Sequence, residues 1–292
     1  MSAQGEAPVS AILLISCPDQ KGLVNTVTQF IYTNGGNVVD LEQHVDRIEG
    51  RFFMRVAWDL TDFVIPRESL ADAFNKALAI PHQMDWQLYF SDRKPRMAVF
   101  VSKHEHCLFD ILARYQSHEW DIEIPLVISN HPDLEQPVTS LGIDYVHIPI
   151  NKDNKAEAEQ QQRDLLEQYQ IDFSVLARYM QILSDDFIKA YPNRIINIHH
   201  SFLPAFPGAR PYHSAYERGV KIIGATSHYV TAELDAGPII EQDVEHVRHT
   251  DEVDDLVRKG RDVEKVVLSR AIWRHFNHQV LVYNNRTVVF GS

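Results

Sequence analysis

The sequence predicts an α/β protein in two parts. An N-terminal ferredoxin-like unit of order βαββαβ precedes a Rossmann-like, mostly parallel sheet flanked by helices. Three observations carry this. Over residues 9–90, strand-length and helix-period segments follow one another as strand, helix, strand, strand, helix, strand, which is the split-βαβ arrangement. From residue 96 the texture changes to short continuous apolar runs separated by helical segments, as expected of strands buried on both faces of a parallel sheet. Between them, S-D-R-K-P (91–95) is polar and ends in proline, as a linker does. The expected division is therefore 1–90, a linker over 91–95, and a second domain over 96–292.

Each element has a local reason. V-S-A-I-L-L-I-S (9–16) is apolar enough for a buried strand. The turn C-P-D-Q-K-G comes next, and then Leu23, Val27, Phe30 and Ile31 recur at helical spacing until Asn34, Gly35 and Gly36 stop the helix. Val39, Leu41 and Val45 alternate with polar residues, as do Phe52, Met54, Val56 and Trp58, giving two strands joined by a tight turn near Glu49 and Gly50. A helix over 67–79 and a strand over 84–90 complete the unit. In the second part, strands are predicted at Met97–Ser102, 124–129, Tyr145–Ile150, Phe173–Ala177 and Ile195–Ile198, with helices near 107–117, 153–170 and 185–190. The polar run 153–168 reads as a solvated helix face. Two more strands at 222–230 and 238–247 lead to a long amphipathic helix, its buried stripe expected at Val253, Leu256, Val257, Val263, Val266, Val267 and Ile272.

Of the 292 residues, 45% are hydrophobic and 23% charged, enough to bury a sizeable core. The formal net charge of −12 argues against nucleic acid as a partner, since phosphate binding calls for clustered Lys and Arg. Two distant cysteines, Cys17 and Cys107, make no disulfide framework and point to a reducing compartment. The start M-S-A-Q-G-E-A-P lacks a basic n-region and an apolar h-region, and no apolar run approaches the roughly 20 residues that span a bilayer. The expected location is the cytoplasm, with no membrane partner.

The polar clusters lie where such sheets do chemistry. Ligands of open parallel sheets bind in the crevice at the carboxyl ends of the strands. In N-I-H-H-S-F-L-P, strand alternation puts Asn197 and His199 on one face, and turns His200 to the other face or into the turn. His200 therefore reads as either a satisfied turn histidine or a site residue. His228 falls in a strand, and Asp235 falls in a loop ending in Gly237 and Pro238 that can bring a carboxylate back over the sheet. An Asn, a His and an Asp facing one pocket can move an acyl group without a metal. The first two offer donors to an oxyanion, and the carboxylate holds a water or amine and shuttles its proton. A metal at His199, His200 and His228 is disfavoured, because adjacent histidines at a strand end face opposite ways. The run H-E-H (104–106), near a helix start, reads as a solvated capping loop in preference to a metal site, and Cys107 as a small buried residue. No G-x-S-x-G is present and neither cysteine has a clear partner, so nothing indicates a covalent nucleophile.

These motifs carry a resemblance. N-I-H-H-S-F-L-P-A-F-P-G, with V-T-A-E-L-D-A-G-P-I-I about 35 residues later, resembles the folate-dependent formyltransferase family, with its N-x-H-x-S-L-L-P and D-x-G-P, over roughly residues 96–245. The resemblance implies catalytic roles for Asn197, His199 and Asp235. It also implies a folate pocket near A-R-Y-M-Q-I-L (177–183), with Arg178, Met180, Gln181, Leu183, His228 and Gly237 as substrate-binding positions. Members acting on glycinamide ribonucleotide carry a glycine-rich loop whose amides hold the substrate phosphate. Here that place reads V-S-K-H-E-H-C-L-F-D, without glycine, so a phosphorylated amine acceptor loses its binding site. Members acting on tRNA carry a further basic domain, whereas the 57 residues 236–292 come after Asp235 and the net charge is acidic. L-L-I-S-C-P-D-Q-K-G-L-V is similar to the start of an ACT domain, a small-molecule regulatory module. An ACT domain ahead of this core resembles the formyltetrahydrofolate deformylases, whose acceptor is water. S-K-x-x-H-C-L-x-D-L fits that subfamily, with Ile111 in the last place.

The activity this resemblance implies is hydrolysis of 10-formyltetrahydrofolate to tetrahydrofolate and formate, feeding formate and balancing one-carbon pools for purine synthesis. It also implies no cofactor beyond that substrate, no metal, an amino-acid effector at the ACT domain and a homo-oligomer. His104 and His106 are expected to close the site where the phosphate loop is missing. Two alternatives stay open, formyl transfer to an amine and a catalytically silent amino-acid sensor; an intact Asn197, His199 and Asp235 speaks for the hydrolase.

Overall fold

The computed structural model describes residues 8–204 and 211–291. It separates into two compact units. The first runs through Arg93 and includes His278–Leu281 and the residues from Val288 on; the second comprises Lys94–Asn277 and Val282–Thr287. Among the described residues no helix is long and apolar enough to cross a membrane.

The first unit contains β1 (Ser10–Pro18), α1 (Leu23–Thr33), β2 (Asn37–Asp46), β3 (Arg51–Asp59), α2 (Arg67–Phe74) and β4 (Asp85–Phe90). A π-helical turn (Asn75–Ala79) continues α2 into a last turn, α3 (Ile80–His82). The strands order as β2-β3-β1-β4, every neighbour antiparallel. Leu23, Val27 and Ile31 of α1, with Leu70 and Phe74 of α2, pack on Leu13, Ile15, Met54, Val56 and Trp58. A Cβ on Gly36 would lie 2.6 Å from Ile31 and 2.8 Å from Trp58, so the turn that ends α1 needs a glycine for close approach.

One strand departs from strict alternation. The β2–β3 register passes from Val38 opposite Trp58 to Asp40 opposite Ala57, leaving Val39 as the extra residue of a β-bulge. Val38, Leu41 and Val45 pack on the core, and Val39, expected to face inward, is 56% exposed. The inserted residue shifts the phase of everything before it by one.

The second unit contains β5 (Arg96–Val101), α4 (His106–Gln116), β6 (Glu123–Ser129), α5 (Glu135–Thr139), β7 (Asp144–His147), α6 (Lys155–Gln168), β8 (Phe173–Ala177), α7 (Asp185–Ala190), β9 (Ile195–His199), α8 (Pro211–Arg218), β10 (Ile222–Tyr229), β11 (Ile239–His246) and α9 (Val253–Phe276). Its seven strands order as β11-β10-β9-β8-β5-β6-β7. β9, β8, β5, β6 and β7 are parallel, and β10 runs antiparallel to both β9 and β11. The chain winds from β5 towards β7 on one side and from β8 towards β9 on the other. The winding reverses between β5 and β8, so the loops after those two strands diverge and open a crevice at their carboxyl ends.

Two features escape the sequence reading. The buried stripe of α9 runs through Leu256, Gly260, Glu264, Val267, Leu268, Ala271 and Ile272, while Val253, Val257, Val263 and Val266 are only half-buried. A C-terminal hairpin, β12 (Val280–Tyr283) and β13 (Arg286–Val289), comes after α9. Its turn is Asn284-Asn285, both at positive φ (44° and 58°), a sequence cue between two short apolar runs. Residues 278–281 and 288–291 therefore group with the first unit, which interrupts the expected second domain over 96–292. Arg55 Nε donates to the His278 carbonyl at 2.9 Å, and the His278 ring stacks on Tyr89 at 3.6 Å.

The bulge is testable. Val38→Asp should destabilise the first unit by about 2 kcal/mol or more in urea denaturation, because it puts a carboxylate against the core. Val39→Asp should stay within about 0.5 kcal/mol of the parent. Equal effects at the two positions would refute this register.

Candidate active site

The polar face of the second unit is assembled by one strand pairing. β9 and β10 are registered with His228 opposite Asn197 and Thr226 opposite His199. Residues two apart on a strand share a face, and directly opposed residues share it too. Asn197, His199 and His228 are therefore brought together by backbone geometry alone. Asn197 Nδ2 lies 3.2 Å from His228 Nε2, and His228 Nδ1 lies 2.9 Å from the Tyr229 carbonyl oxygen. A carbonyl only accepts, so Nδ1 carries the hydrogen and Nε2 accepts from the Asn197 amide. That bond fixes which way the amide points and leaves its second N–H free to donate.

The carboxylate arrives from a loop that doubles back. Because β10 is antiparallel, its carboxyl end at Tyr229 lies opposite Ile196, away from His199. Residues 230–238 return along the sheet and place Asp235 Oδ2 3.1 Å from His199 Nδ1 and Oδ1 3.6 Å from His228 Nε2. Tyr229 N–H donates to the Pro238 carbonyl at 2.9 Å, and Asn285 Nδ2 donates to the Ala236 carbonyl at 2.8 Å. Asp235 itself is left-handed (φ 56°). A Cβ on Gly237 would lie 1.8 Å from the Tyr229 oxygen, so only glycine passes there. The hydrogen bond from His199 is the largest of the influences that hold the Asp235 carboxyl well below the usual carboxylate range. His199, donating through Nδ1, keeps Nε2 buried with no hydrogen-bond partner among the described residues. An unpaired buried nitrogen is costly.

His200 lies in the bend after β9, the second of the two courses expected of it. β9 ends at His199, so alternation no longer governs the next residue. The His200 ring sits 5.1 Å from that of His199 and 6.3 Å from that of Tyr212. Burial first, and the charge of Arg178 second, push its pKa down to about 4, so the ring is neutral at ordinary pH.

The loop after β8 is pinned at four points. Arg178 Nε faces Glu264 Oε2 at 3.5 Å. The Tyr179 hydroxyl accepts from Gln162 Nε2 at 3.0 Å, and Met180 N–H donates to Ser102 Oγ at 2.9 Å. Ser184 N–H donates to Glu159 Oε1 at 2.9 Å. Glu159 and Gln162 are buried, at 4% and 0% exposure, so α6 is not the uniformly solvated face its composition suggests. Between these pins Met180 and Ile182 stand exposed, Gln181 is half-buried, and the Leu183 side chain packs into the core.

The loop after β5 is not a solvated cap. His106 opens α4 with its ring largely buried, Nε2 lying 2.8 Å from Glu264 Oε2. Tyr212 Oη donates to Glu264 Oε1 at 2.7 Å. Burial lowers the His104 pKa, with Arg178 the second cause. Burial alone would raise the Glu264 carboxyl, but the His106 hydrogen bond and the Arg178 charge outweigh it and leave it ionised. Cys107 is buried and its thiol is pushed up by that burial. Its sulfur, His106 Nε2 and a Glu264 oxygen lie within 4.8 Å of one another. Arg178 already faces the Glu264 carboxylate as its counter-charge, so the geometry is that of an ion-pair cluster. Glu264 was hidden in the sequence by its helix, although its spacing from Gly260 and Leu268 places it in the buried stripe.

Known proteins resemble this chain over nearly all of its length. The formyl transferase family model matches residues 95–272, and the ACT domain model matches residues 11–78. A formyltetrahydrofolate deformylase of Synechocystis sp. is 58% identical over 283 residues, covering 97% of this chain and 99% of that protein. A solved formyltetrahydrofolate deformylase from Pseudomonas syringae pv. tomato superposes with a TM-score of 0.94 at 44% identity, covering 98% of this chain and 96% of that one. A glycinamide ribonucleotide transformylase from Symbiobacterium toebii, 32% identical, covers 70% of this chain and 98% of its own with a TM-score of 0.65.

The depressed Asp235 carboxyl makes a prediction with a definite sign. A carboxylate whose folded pKa lies below its unfolded value of about 4 adds stability that is present above that value and lost as pH falls towards the folded one. The stability gap between the parent and Asp235→Asn, read by urea denaturation, should therefore shrink progressively below about pH 4. A gap unchanged down to about pH 3 would refute the pairing.

Proposed function

The chain belongs to the formyltetrahydrofolate deformylase family, and from that premise we propose that it hydrolyses 10-formyltetrahydrofolate to tetrahydrofolate and formate. The single observation that carries the reading is the convergence of Asn197, His199 and Asp235 on one face, with the Asp235 carboxylate 3.1 Å from His199. Water adds to the formyl carbon, and its proton passes to Asp235. The carbonyl oxygen becomes an oxyanion that accepts from the free N–H of Asn197 and from His199 Nε2. For that donation the His199 ring must carry hydrogens on both nitrogens, Nδ1 bonded to Asp235 and Nε2 to the oxyanion. The intermediate collapses by breaking the bond from carbon to N10, and N10 takes the proton back from Asp235, directly or through a water. The formic acid so formed loses its remaining proton to water, and formate and tetrahydrofolate leave.

The pocket wall in this reading is the loop 178–183 together with the 230–238 loop, with Met180 and Ile182 supplying apolar surface for a flat ring. His228 keeps Asn197 oriented, and Gly237 lets the Asp235 loop close on the sheet. The chemistry needs no cofactor, because every proton moved has a side chain to hold it. The first unit serves as the regulatory module and takes an amino acid as its effector, as its ACT match supports, and pairs with a second copy into a homo-oligomer. Two free, buried cysteines support a cytoplasmic enzyme. The formate released feeds one-carbon pools and purine synthesis.

The test is incubation with 10-formyltetrahydrofolate, with and without an added amine. Formate release without amine is expected. Turnover only with the amine would make the chain a transferase, and no turnover a sensor. Asn197→Ala, His199→Ala and Asp235→Ala should each lower kcat by about 10²-fold or more while leaving the fold intact. A variant that keeps full rate would remove that residue from the mechanism.

A further inference from the structure

We propose that Glu264 is a positioning residue for folate binding: its carboxylate holds Arg178, and through Arg178 the loop 178–183. The proposal rests on the hydrolase reading above. Glu264 is 1% exposed in the buried stripe of α9, where an apolar side chain would pack without any desolvation cost. A buried carboxylate in that place has to be explained by what it holds.

Three groups converge on it from three elements. His106 comes from the start of α4, Tyr212 from α8, and Arg178 from the exit of β8. One helical turn earlier, a Cβ on Gly260 would lie 2.1 Å from the Tyr212 hydroxyl, so α9 opens a slot that admits the ring to Glu264. His106 and Tyr212 hold the carboxylate from either side, and its charge is left facing the guanidinium.

Arg178 is the residue that needs holding. It begins the loop with φ 61°, a left-handed conformation that a side chain with Cβ adopts at a cost. Its side chain is only 11% exposed, and its Nε is buried without a hydrogen bond, so the ion pair with Glu264 is what compensates it. The other pins of the loop fix Tyr179, Met180 and Ser184 through α6 and β5. Glu264 supplies the pin at the first residue, where the backbone turns out of the sheet. Without its charge, the guanidinium has reason to leave, and the loop that presents Met180 and Ile182 leaves with it.

The experiment uses the full chain as wild type, Glu264→Gln, Arg178→Gln, the double variant and Tyr212→Phe. Formate release gives KM and kcat, calorimetry gives Kd for tetrahydrofolate, and urea denaturation reports folding. Glu264→Gln should raise KM and Kd by about tenfold and change kcat by less than about threefold. Tyr212→Phe, which keeps the charge, should stay within about twofold of wild type. The double variant should match Arg178→Gln, because a residue that acts through another adds nothing once that one is gone. If Glu264→Gln does not fold, the comparison of Arg178→Gln with the double variant, which buries neither charge, decides alone. An unchanged KM in a folded Glu264→Gln, or a double variant about tenfold worse than Arg178→Gln, overturns the proposal. A wild type that binds tetrahydrofolate but releases no formate overturns the hydrolase reading instead, and the Kd values still judge Glu264.

Discussion

The site depends on one pairing, the antiparallel register of β10 against β9. In an all-parallel sheet the strand beside β9 would bring its own carboxyl end to the crevice. Running the other way, β10 sets His228 directly opposite Asn197 and sends its carboxyl end away from His199. The loop after it must then return across the sheet, and that return carries Asp235 onto two imidazoles. A slip of one residue would turn His228 to the other face and leave the Asn197 amide without its orienting acceptor. Register, an outcome of backbone hydrogen bonding and core packing, thus decides which side chains meet.

The rest of the crevice is built by buried polar groups that fix backbone. Ser102, Glu159, Gln162 and Glu264 come from the end of β5, from α6 and from α9, and each bonds to or faces a different residue of the loop after β8. Such groups are costly to bury singly and become favourable only when their partners are satisfied. Here each has a loop residue among its partners, while Gln162 Oε1 stays without one among the described residues, so part of the burial cost is offset by order in a segment that has no regular hydrogen bonds of its own. Glu264 differs from the others in kind, since its link to the loop is a charge facing a charge.

Much of this was legible in the sequence, and the parts that were not share a physical cause. The parallel sheet shows in Met97–Val101 and Phe173–Ala177, because strands buried on both faces must be apolar throughout. Asn197 and His199 on one face come from a period of two. Val39 misleads because a β-bulge adds a residue without any change in composition. Glu159 and Gln162 look like solvated surface because polar residues usually are, and only the fold reveals that Ser184 and Tyr179 wait beneath them. Glu264 sits among valines that draw the stripe one residue off. The division of the C-terminal residues escapes a reading by periodicity, although Asn284-Asn285 signals the hairpin. Local periodicity reports which face is buried on average, and long-range partners decide the exceptions.

Several departures from local rules meet at the candidate site. Arg178 and Asp235 are both left-handed without being glycine, Gly237 admits no side chain, and His199 Nε2 is buried without a partner among the described residues. Each breaks a local rule at a cost of about 1–3 kcal/mol for strained backbone or an unmet polar atom. The first unit has departures of its own, the left-handed Gln83 and the buried Trp58 Nε1 without a hydrogen-bond partner among the described residues, and there the glycine at Gly36 and the bulge at Val39 serve packing and twist. A sheet whose central strands are wholly buried can carry such local costs, and they persist only because surrounding contacts over-determine each position. Asp235 is over-determined by Asn285 and Tyr229 around its loop, and Arg178 by Glu264. The strained residues and the residues that hold them therefore form a single unit, and a substitution among the holders should be felt first at the pocket and only second in the stability of the fold.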